Sequence, residues 1–241
     1  MLAGIHAVMH ALQAGSEVQE LWIASSKPNP KLQQLIHKAQ AKYIPINYVS
    51  REMLDQMSDG ARHQGVMAKT AGQVRVGFDA WLQEIDMDAA PLVLLLDQVT
   101  DPHNMGACVR TAEAAGCAAV IVPKDGSADL NSPVVAKSAC GALATIPVLT
   151  VTNLARAIEQ LQAAGFWVYG LAGEGEHSIY EAKFQGANAV VMGAEGSGMR
   201  RLVREKCDQL CHIPMPGSVE SLNVSVATGV ALFEAIRQRK G

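Results

Sequence analysis

Short, wholly apolar runs alternate with amphipathic segments along the C-terminal two-thirds of the chain. Runs that are apolar at every position are typical of strands buried on both faces of a parallel sheet. The pattern predicts strands at Leu92–Asp97, Ala118–Pro123, Ile146–Val151, Phe166–Ala172, Ala189–Met192 and Leu210–Met215. Helical periodicity lies between and after them, at Asn104–Ala115, Ser132–Cys140, Asn153–Ala164, Met199–Lys206 and Val224–Arg239. This alternation predicts an α/β domain with helices on both faces of a parallel sheet.

The first 70 residues predict a smaller α/β unit with its own helices and strands. Helices are predicted at Gly4–Ala14 and Lys31–Lys42 and from Ser50, whose side chain suits a helix N-cap. Strands are predicted at Glu20–Ala24, Ile44–Val49 and Gln64–Lys69. The stretch 71–91 mixes glycine, acidic and scattered apolar residues, with a short helix at Phe78–Ile85. We therefore expect an N-terminal domain at 1–70, a linker at 71–91 and a second domain at 92–241.

Three loops of the second domain are candidates for a ligand site, because ligands of parallel sheets bind at the carboxyl ends of the strands. These loops are 97–106, 193–198 and 215–223. The last two are rich in glycine or proline, which lets a ligand approach the backbone. They also contain a dense polar set: Glu195, Ser218, Glu220, Ser221 and Asn223.

The first loop leads into a helix that contains two further polar candidates. Asn104 is predicted to cap the helix that it begins. Arg110, among small residues of that helix, either extends to solvent or presents a fixed fork to a phosphate. Glycine spacing excludes two nucleotide motifs, since GAEGSG (193–198) is not GxGxxG and no GK[ST] follows it.

Composition restricts the classes of function only mildly. The 241 residues contain 49% hydrophobic residues and carry a net charge of −3, which disfavours avid, non-specific binding to nucleic acid. The five cysteines include no CxxC pair, so we expect reduced thiols in a cytoplasmic protein. Cys207, Cys211 and His212 are too few for a zinc site, and His6 and His10 are interpreted as residues of an amphipathic helix. We expect no metal, no signal peptide and no membrane-spanning segment.

Three blocks of the second domain resemble the SpoU–TrmH family of RNA ribose 2′-O-methyltransferases. They read TDPHNMGACVRTAEAAG (100–116), VVMGAEGSGMRR (190–201) and IPMPGSVESLNVSVATG (213–229). Two N-terminal stretches, GIHAV (4–8) and SDGARHQGVMA (58–68), are similar to the leader of those members that methylate a guanosine of 23S ribosomal RNA. In such members a small ribosomal-protein-like domain precedes the catalytic one.

The resemblance implies S-adenosylmethionine as methyl donor, a trefoil knot in the C-terminal domain and a homodimer with sites near the subunit interface. It implies cofactor-binding loops at Gly193, Ile213, Met215 and Leu222. It assigns catalytic positions to Asn104, Arg110, Glu195, Ser221 and Asn223. It also implies 23S ribosomal RNA as substrate, although no base-reading residue identifies the target nucleotide.

Arg110 has two candidate roles, as the base or as an orienting group. A guanidinium remains protonated in proteins and is a poor base. Our hypothesis is therefore that Arg110 binds the target's phosphate and orients the hydroxyl, which loses its proton late. Candidate RNA contacts in the N-terminal domain are Lys27, Lys31, Lys38, Lys42, Arg51, Arg62 and His63. For each residue taken singly, a solvated surface charge is the preferred interpretation, and for His63, beside Gln64, a structural turn remains an alternative.

Two alternatives of function remain open. One is a transfer-RNA ribose methyltransferase, against which the N-terminal domain argues. The other is a non-catalytic RNA-binding factor for ribosome assembly, against which the intact polar positions argue. A nicotinamide-dependent oxidoreductase is the weakest interpretation because the glycine spacing is wrong.

Overall fold

The computed structural model describes residues 1–13, 18–24, 29–58, 63–70 and 77–240. The chain divides into two compact units. The first comprises Met1–Arg75 with Ala139–Thr145, and the second comprises Val76–Ser138 with Ile146–Gly241.

The first unit is built on a four-stranded sheet in the order β1–β4–β2–β3. The strands are β1 Leu2–Ala3, β2 Val18–Ala24, β3 Ile46–Val49 and β4 Val66–Thr70. The helices are α1 Ile5–Gln13, α2 Pro30–Ala41 and α3 Arg51–Met57. Strand β2 pairs with β3 in parallel and with β4 in antiparallel orientation. The sequence pattern predicted each of these elements except β1, which is too short to show a periodicity.

The predicted helix start at Ser50 is confirmed. Its hydroxyl accepts a hydrogen bond from the backbone N–H of Met53 at 3.2 Å, which satisfies one of the unpaired donors of the first turn. Helix α2 begins in the same manner, since the Asn29 side chain accepts from the Leu32 N–H at 2.9 Å.

The second unit contains a seven-stranded sheet in the order β7–β6–β5–β10–β8–β11–β9. The strands are β5 Leu92–Leu96, β6 Ala119–Pro123, β7 Val148–Val151, β8 Trp167–Leu171, β9 His177–Ser178, β10 Asn188–Met192 and β11 Gln209–His212. The helices are α4 Phe78–Glu84, α5 Pro102–Ala114, α6 Pro133–Ser138, α7 Leu154–Ala163, α8 Arg201–Lys206 and α9 Val224–Lys240. Each pairing of neighbouring strands is parallel. The predicted α/β fold with a parallel sheet is confirmed, whereas the trefoil knot stays a prediction.

Strand β10 lies between β5 and β8 at the centre of this sheet. Its last residue, Met192, is opposite Leu96 of β5 and Leu171 of β8. The three carboxyl ends are therefore level. The segments that follow these strands consequently leave the sheet at the same edge.

Two predicted boundaries were wrong in ways that bear on this edge. Helix α5 begins at Pro102, and its cap is Asp101, whose carboxylate accepts from the Asn104 N–H at 2.8 Å. The amide of Asn104 is therefore available for other contacts. Helix α8 begins at Arg201 and not at Met199, because the glycine loop before it is longer than the pattern indicated.

Candidate functional site

A cavity of about 540 Å³ opens at the carboxyl edge of the second unit's sheet. Most of its lining residues lie in three segments: the residues after β8, the loop after β10, and the residues between β11 and α9. Helices α8 and α9 contribute Arg204, Val224 and Ala227. The predicted cofactor-binding residues, Gly193, Ile213, Met215 and Leu222, are among its lining residues. A volume of this size is typical of small-molecule sites.

The loop after β10 turns back on itself at the cavity wall. Ala194 and Gly198 exchange two backbone hydrogen bonds, of 3.1 and 2.9 Å. The turn presses Gly193 against the returning chain, so that a Cβ at this position would lie 2.2 Å from the carbonyl carbon of Gly198. Glycine is therefore required at position 193, because the backbone packs closely against itself there.

Asp97 holds the other end of this loop. It follows β5, is fully buried, and accepts from the backbone N–H of Arg200 at 2.7 Å. The Arg200 guanidinium also contacts the Asp97 carboxylate, with Nε at 2.8 Å and Nη2 at 2.7 Å from Oδ1. Two guanidinium nitrogens thus share the oxygen Oδ1, while Oδ2 accepts from the backbone, and hydrogen bonds between charged groups are stronger than those between neutral ones. The loop between Met192 and Arg200 is thus anchored at both ends.

Side chains of Asn104, Glu195 and Asn223 form a polar cluster beside the cavity. Asn104 Nδ2 and Asn223 Nδ2 each donate to Glu195 Oε2 at 3.3 Å, and Asn223 Nδ2 also donates to Asn104 Oδ1 at 3.0 Å. Asn223 Oδ1 accepts from the N–H of Ser225 at 3.0 Å and from its hydroxyl at 2.6 Å. These bonds assign the amide orientation of Asn223 and connect all three loops predicted from the sequence.

The two remaining predicted catalytic residues lie on the cavity wall and on helix α5. Ser221 lines the cavity and is exposed. Arg110 is exposed on α5, six residues beyond Asn104, which corresponds to about 9 Å along the helix axis. The structure therefore joins Asn104, Glu195 and Asn223 by direct hydrogen bonds, and places Ser221 on the cavity wall and Arg110 farther along α5.

Sequence reasoning missed several residues of the site. Glu174 and Arg204 line the cavity and form an ion pair at 2.6 Å. Asp97 was taken as the last residue of a strand, and Ser225 as part of a helix. The apolar pattern that located the strands gave no information on which strands are neighbours, and this order is what brings the segment after β8 to the cavity.

The cysteines and histidines of this edge do not form a metal centre in the described part of the chain. No group of three or more histidine, cysteine, aspartate or glutamate residues there could hold a metal ion. Burial raises the pKa of the Cys207 thiol to about 12 and that of Cys211 to about 11. Both are therefore neutral thiols at physiological pH. The side chains of His6 and His10 lie outside what the structure describes.

In the first unit, His63 and Gln64 support the fold. His63 is 4% exposed, its Nε2 lies 2.8 Å from Asp55 Oδ1, and its Nδ1 accepts from the Gly65 N–H at 3.1 Å. Gln64 Oε1 accepts from the N–H of Ile5 at the start of α1. A buried imidazole with both nitrogens engaged fits a structural role. The other candidate RNA contacts, Lys31, Lys38, Lys42 and Arg51, are exposed, and Lys27 and Arg62 lie outside the described residues.

No helix of the described residues is long and apolar enough to span a membrane. Fold and site together define a class of protein: an α/β protein in which a carboxylate–amide cluster adjoins a glycine-lined cavity, of the size of a small-molecule site, at the carboxyl edge of a parallel sheet. The chain belongs to the SpoU rRNA methylase family, whose model matches residues 91–233. A second model, described as RNA 2′-O ribose methyltransferase substrate binding, matches residues 1–73. The family predicted from the three sequence blocks is thereby confirmed.

Relatives and solved structures agree with this membership. The chain is 50% identical to the 23S rRNA (guanosine-2′-O-)-methyltransferase RlmB of Salmonella typhimurium over 240 residues, covering 99% of this chain and 98% of the relative. It is 50% identical to the RlmB of Escherichia coli strain K12 over 244 residues, covering 99% and 98% of the two chains. An AdoMet-bound rRNA methyltransferase from Sinorhizobium meliloti superposes with a TM-score of 0.79 at 26% identity, covering 98% of this chain and 85% of the other. The SpoU methyltransferase AviRb of Streptomyces viridochromogenes, solved with AdoMet, has a TM-score of 0.79 at 24% identity, with coverages of 100% and 90%, and shows the shared fold.

Proposed function

We propose that the chain methylates the ribose 2′-hydroxyl of a guanosine in 23S ribosomal RNA, with S-adenosylmethionine as methyl donor. The observation that carries this proposal is the 50% identity to RlmB enzymes over 99% of the chain. The aligned region covers both the N-terminal unit and the catalytic unit.

The cavity fits a nucleoside-containing cosubstrate. Its walls combine apolar side chains, such as Ile213, Met215 and Leu222, with the exposed backbone of the 193–198 turn. A Cβ at Gly193 would collide with the main chain of Gly198, so the turn is tightly packed. Its backbone groups are therefore held in fixed positions. S-adenosylmethionine supplies an activated methyl group on a sulfonium.

Positioning is the main task that remains for the protein, because the donor is already activated. The Glu195 carboxylate holds the amides of Asn104 and Asn223 together at the mouth of the cavity. We assign to this cluster the orientation of the target ribose. Arg110 binds the adjoining phosphate and orients the hydroxyl, and Ser221 completes the wall next to the ribose.

The two parts of the chain have separate roles in this proposal. Residues 1–70 bind the RNA substrate and 92–241 form the methyltransferase domain. The segment 71–91 joins them, and its part from Val76 onward belongs to the compact second unit, where Phe78 and Trp81 are buried. Exposed lysines on α2, Lys31 and Lys38, are seven residues apart and so lie on one face of the helix. Such a basic face suits a phosphate backbone. Ribosomal RNA as substrate places the reaction in the cytoplasm.

The functional unit in this proposal is a homodimer formed through α9. Val226, Val230 and Phe233 recur at the spacing of one helix face, and the side chains of Val226 and Phe233 are about half exposed, at 52% and 51%. An apolar stripe of this kind on a surface helix favours burial against a partner. Since α9 begins directly after Asn223, a second copy on this face would lie beside the polar cluster.

The test of the function uses labelled S-adenosylmethionine, unmodified 23S RNA and the purified protein. Ribose methylation is mapped by its resistance to alkaline cleavage. We expect one protected guanosine with the wild type, and its loss with Arg110→Ala. Arg156→Ala is the matched control, because Arg156 is an exposed arginine on α7, away from the cavity-lining segments.

Other outcomes would change the proposal in defined ways. Transfer to tRNA but not to 23S RNA would retain the chemistry and overturn the substrate. No transfer to either RNA, together with no binding of the cofactor, would favour the assembly-factor alternative. Near-normal turnover by Arg110→Lys would argue against the fork geometry that we assign to Arg110.

A further inference from the structure

Glu174 lies at the edge of the sheet where the cofactor cavity opens. It follows strand β8, the direct neighbour of β10, and it lines the same cavity as the 193–198 turn. Because Leu171 and Met192 are paired, the chain leaves both strands at the same level. An acidic residue is thereby placed opposite the glycine turn, from a part of the chain that precedes the turn in sequence.

The backbone on which Glu174 stands is held on both sides. The Ala172 N–H donates to the Cys211 carbonyl at 2.9 Å, and the Gly175 N–H donates to the Ala172 carbonyl at 3.0 Å. Gly175 packs so closely on β11 that a Cβ would lie 2.6 Å from the carbonyl carbon of Cys211. The Gly175 carbonyl in turn accepts from His212 Nδ1 at 2.8 Å. This segment is a rigid support and not a loose loop.

Arg204 of α8 orients the Glu174 side chain. Its Nη1 lies 2.6 Å from Glu174 Oε1, and Arg204 also lines the cavity. A hydrogen bond from the backbone of Glu174 itself, followed by the bond from Arg204, lowers the pKa of this carboxyl group. The carboxylate is therefore ionised at neutral pH, and its two oxygens, with about four acceptor positions, retain capacity for further donors.

A carboxylate at the carboxyl end of a neighbouring strand is well placed to accept hydrogen bonds from the hydroxyls of a ribose. In dinucleotide-binding folds an acidic residue accepts hydrogen bonds from ribose hydroxyls. In this chain no acidic residue ends a strand about 20 residues after GAEGSG, where that fingerprint places it, because the next strand ends at His212. Of the other lining carboxylates, Glu195 is already bonded to the amides of Asn104 and Asn223, and Glu220 is exposed in a loop that contains proline and glycine. Glu174 is exposed as well, but Arg204 holds its Oε1 atom.

We propose that Glu174 accepts hydrogen bonds from the 2′- and 3′-hydroxyls of the cosubstrate's ribose, and that Arg204 acts as its positioning residue. The inference rests on the proposed function, because it takes an adenosine-containing cosubstrate as the occupant of the cavity. It adds a contact that distinguishes ribonucleoside from deoxyribonucleoside ligands.

The test is a comparison of two ligands, S-adenosylhomocysteine and its 2′,3′-dideoxyribose analogue, by titration calorimetry with the full chain. We expect the wild type to bind S-adenosylhomocysteine about ten- to a hundredfold more tightly than the analogue, the range for hydrogen bonds to a charged group. Glu174→Ala should lose this preference, so that the two dissociation constants become nearly equal. Glu205→Ala removes a glutamate of α8 that is paired to Arg201, and this variant should retain the preference.

Each result decides the inference. A preference that is unchanged in Glu174→Ala would overturn the inference. This includes equal weakening of the binding of both ligands, which is expected if Glu174 only stabilises the structure through its contact with α8. Restoration of part of the preference by Glu174→Asp would support the carboxylate as the acceptor. A wild type that binds neither ligand would overturn the proposed function itself, and the two failures are therefore distinguishable.

Discussion

At the scale of single residues, Gly193 makes the most stringent demand on the sequence. Alanine there would bring a Cβ within 2.3 Å of the Met199 backbone nitrogen and closer still to Gly198, so the turn has to move. We expect Gly193→Ala to weaken binding of S-adenosylhomocysteine at least tenfold, measured by calorimetry. Gly173→Ala is the matched control, because it lines the same cavity and a Cβ there meets nothing within 4 Å. Equal affinities of the two variants would contradict a fixed turn.

Asp97 provides the second prediction at this scale. Asp97→Asn keeps the shape and one acceptor for the Arg200 N–H, but loses the charged pair with the guanidinium. We expect a loss of about 1–2 kcal/mol in the free energy of unfolding in urea, accompanied by weaker binding of S-adenosylhomocysteine.

The control for Asp97 is Asp208→Asn. Asp208 also accepts from a backbone N–H and a side chain, those of Val168 and Gln162, but it lies at the opposite edge of the sheet. It should lower stability without changing ligand affinity. An Asp97→Asn protein that loses stability but binds the ligand normally would show that the loop does not depend on this anchor.

The role of an individual residue could be predicted from the sequence only where that role depends on neighbouring residues of the chain. The glycines of 193–198 were predicted to let a ligand approach the backbone, which stays a prediction, whereas the structure shows that at Gly193 the main chain approaches itself. Asn104 was misassigned as a cap, since Asp101 competes for the same role and a sequence does not show which one wins. Asp97 was missed because its partner, Arg200, is more than a hundred residues away.

At the scale of elements, Arg239 ties the end of helix α9 to strand β10 and to the segments beside it. The Arg239 guanidinium donates to the carbonyls of Phe184, Ala90 and Gly186 at 3.0, 2.8 and 2.9 Å, and to Asn188 Oδ1 at 3.0 Å. Arg239→Ala leaves these acceptors without their donor. We expect it to lower the free energy of unfolding by about 2–4 kcal/mol, measured by urea denaturation.

Arg201→Ala is the control for the α9 contact. Its side chain is 75% exposed and pairs with the half-exposed Glu205 four residues later on α8. Exposed pairs of this kind contribute less than about 1 kcal/mol. If both variants were destabilised equally, the carbonyl contacts of Arg239 would not be what fastens the helix.

The elements themselves were more predictable than their arrangement. Strands β5, β6 and β10 are buried at every position, so their apolar runs identified them within one or two residues. The two-residue strand β9 has no such run and was missed. The order β5–β10–β8 was not accessible, because strand pairing depends on long-range packing and not on periodicity. This order determines which segments meet at the cavity, including the one with Glu174.

At the scale of the whole molecule, the net charge and the proposed dimer bear on how the enzyme binds RNA. The net charge of −3 gives the chain no general attraction for phosphate. Binding must then depend on local basic surfaces, which in the proposal lie on the N-terminal domain and around Arg110. Such binding weakens steeply with salt in proportion to the number of phosphates contacted.

The proposed dimer supplies the last prediction. Phe233 is about half exposed on the α9 stripe of Val226, Val230 and Phe233, so glutamate there is tolerated by the isolated fold but places a charge in a dimer interface. We expect light scattering to give a dimeric mass for the wild type and a monomeric mass for Phe233→Glu at micromolar concentration. Methyl transfer to 23S RNA should fall in parallel, because α9 starts beside Asn223.

Trp167→Glu is the control for the dimer prediction. Trp167 is equally exposed, at 49%, but it begins strand β8 and so lies at the amino edge of the sheet, away from the cavity. A monomeric wild type with full activity would refute the dimer, and a dimeric Phe233→Glu protein would place the interface on another face.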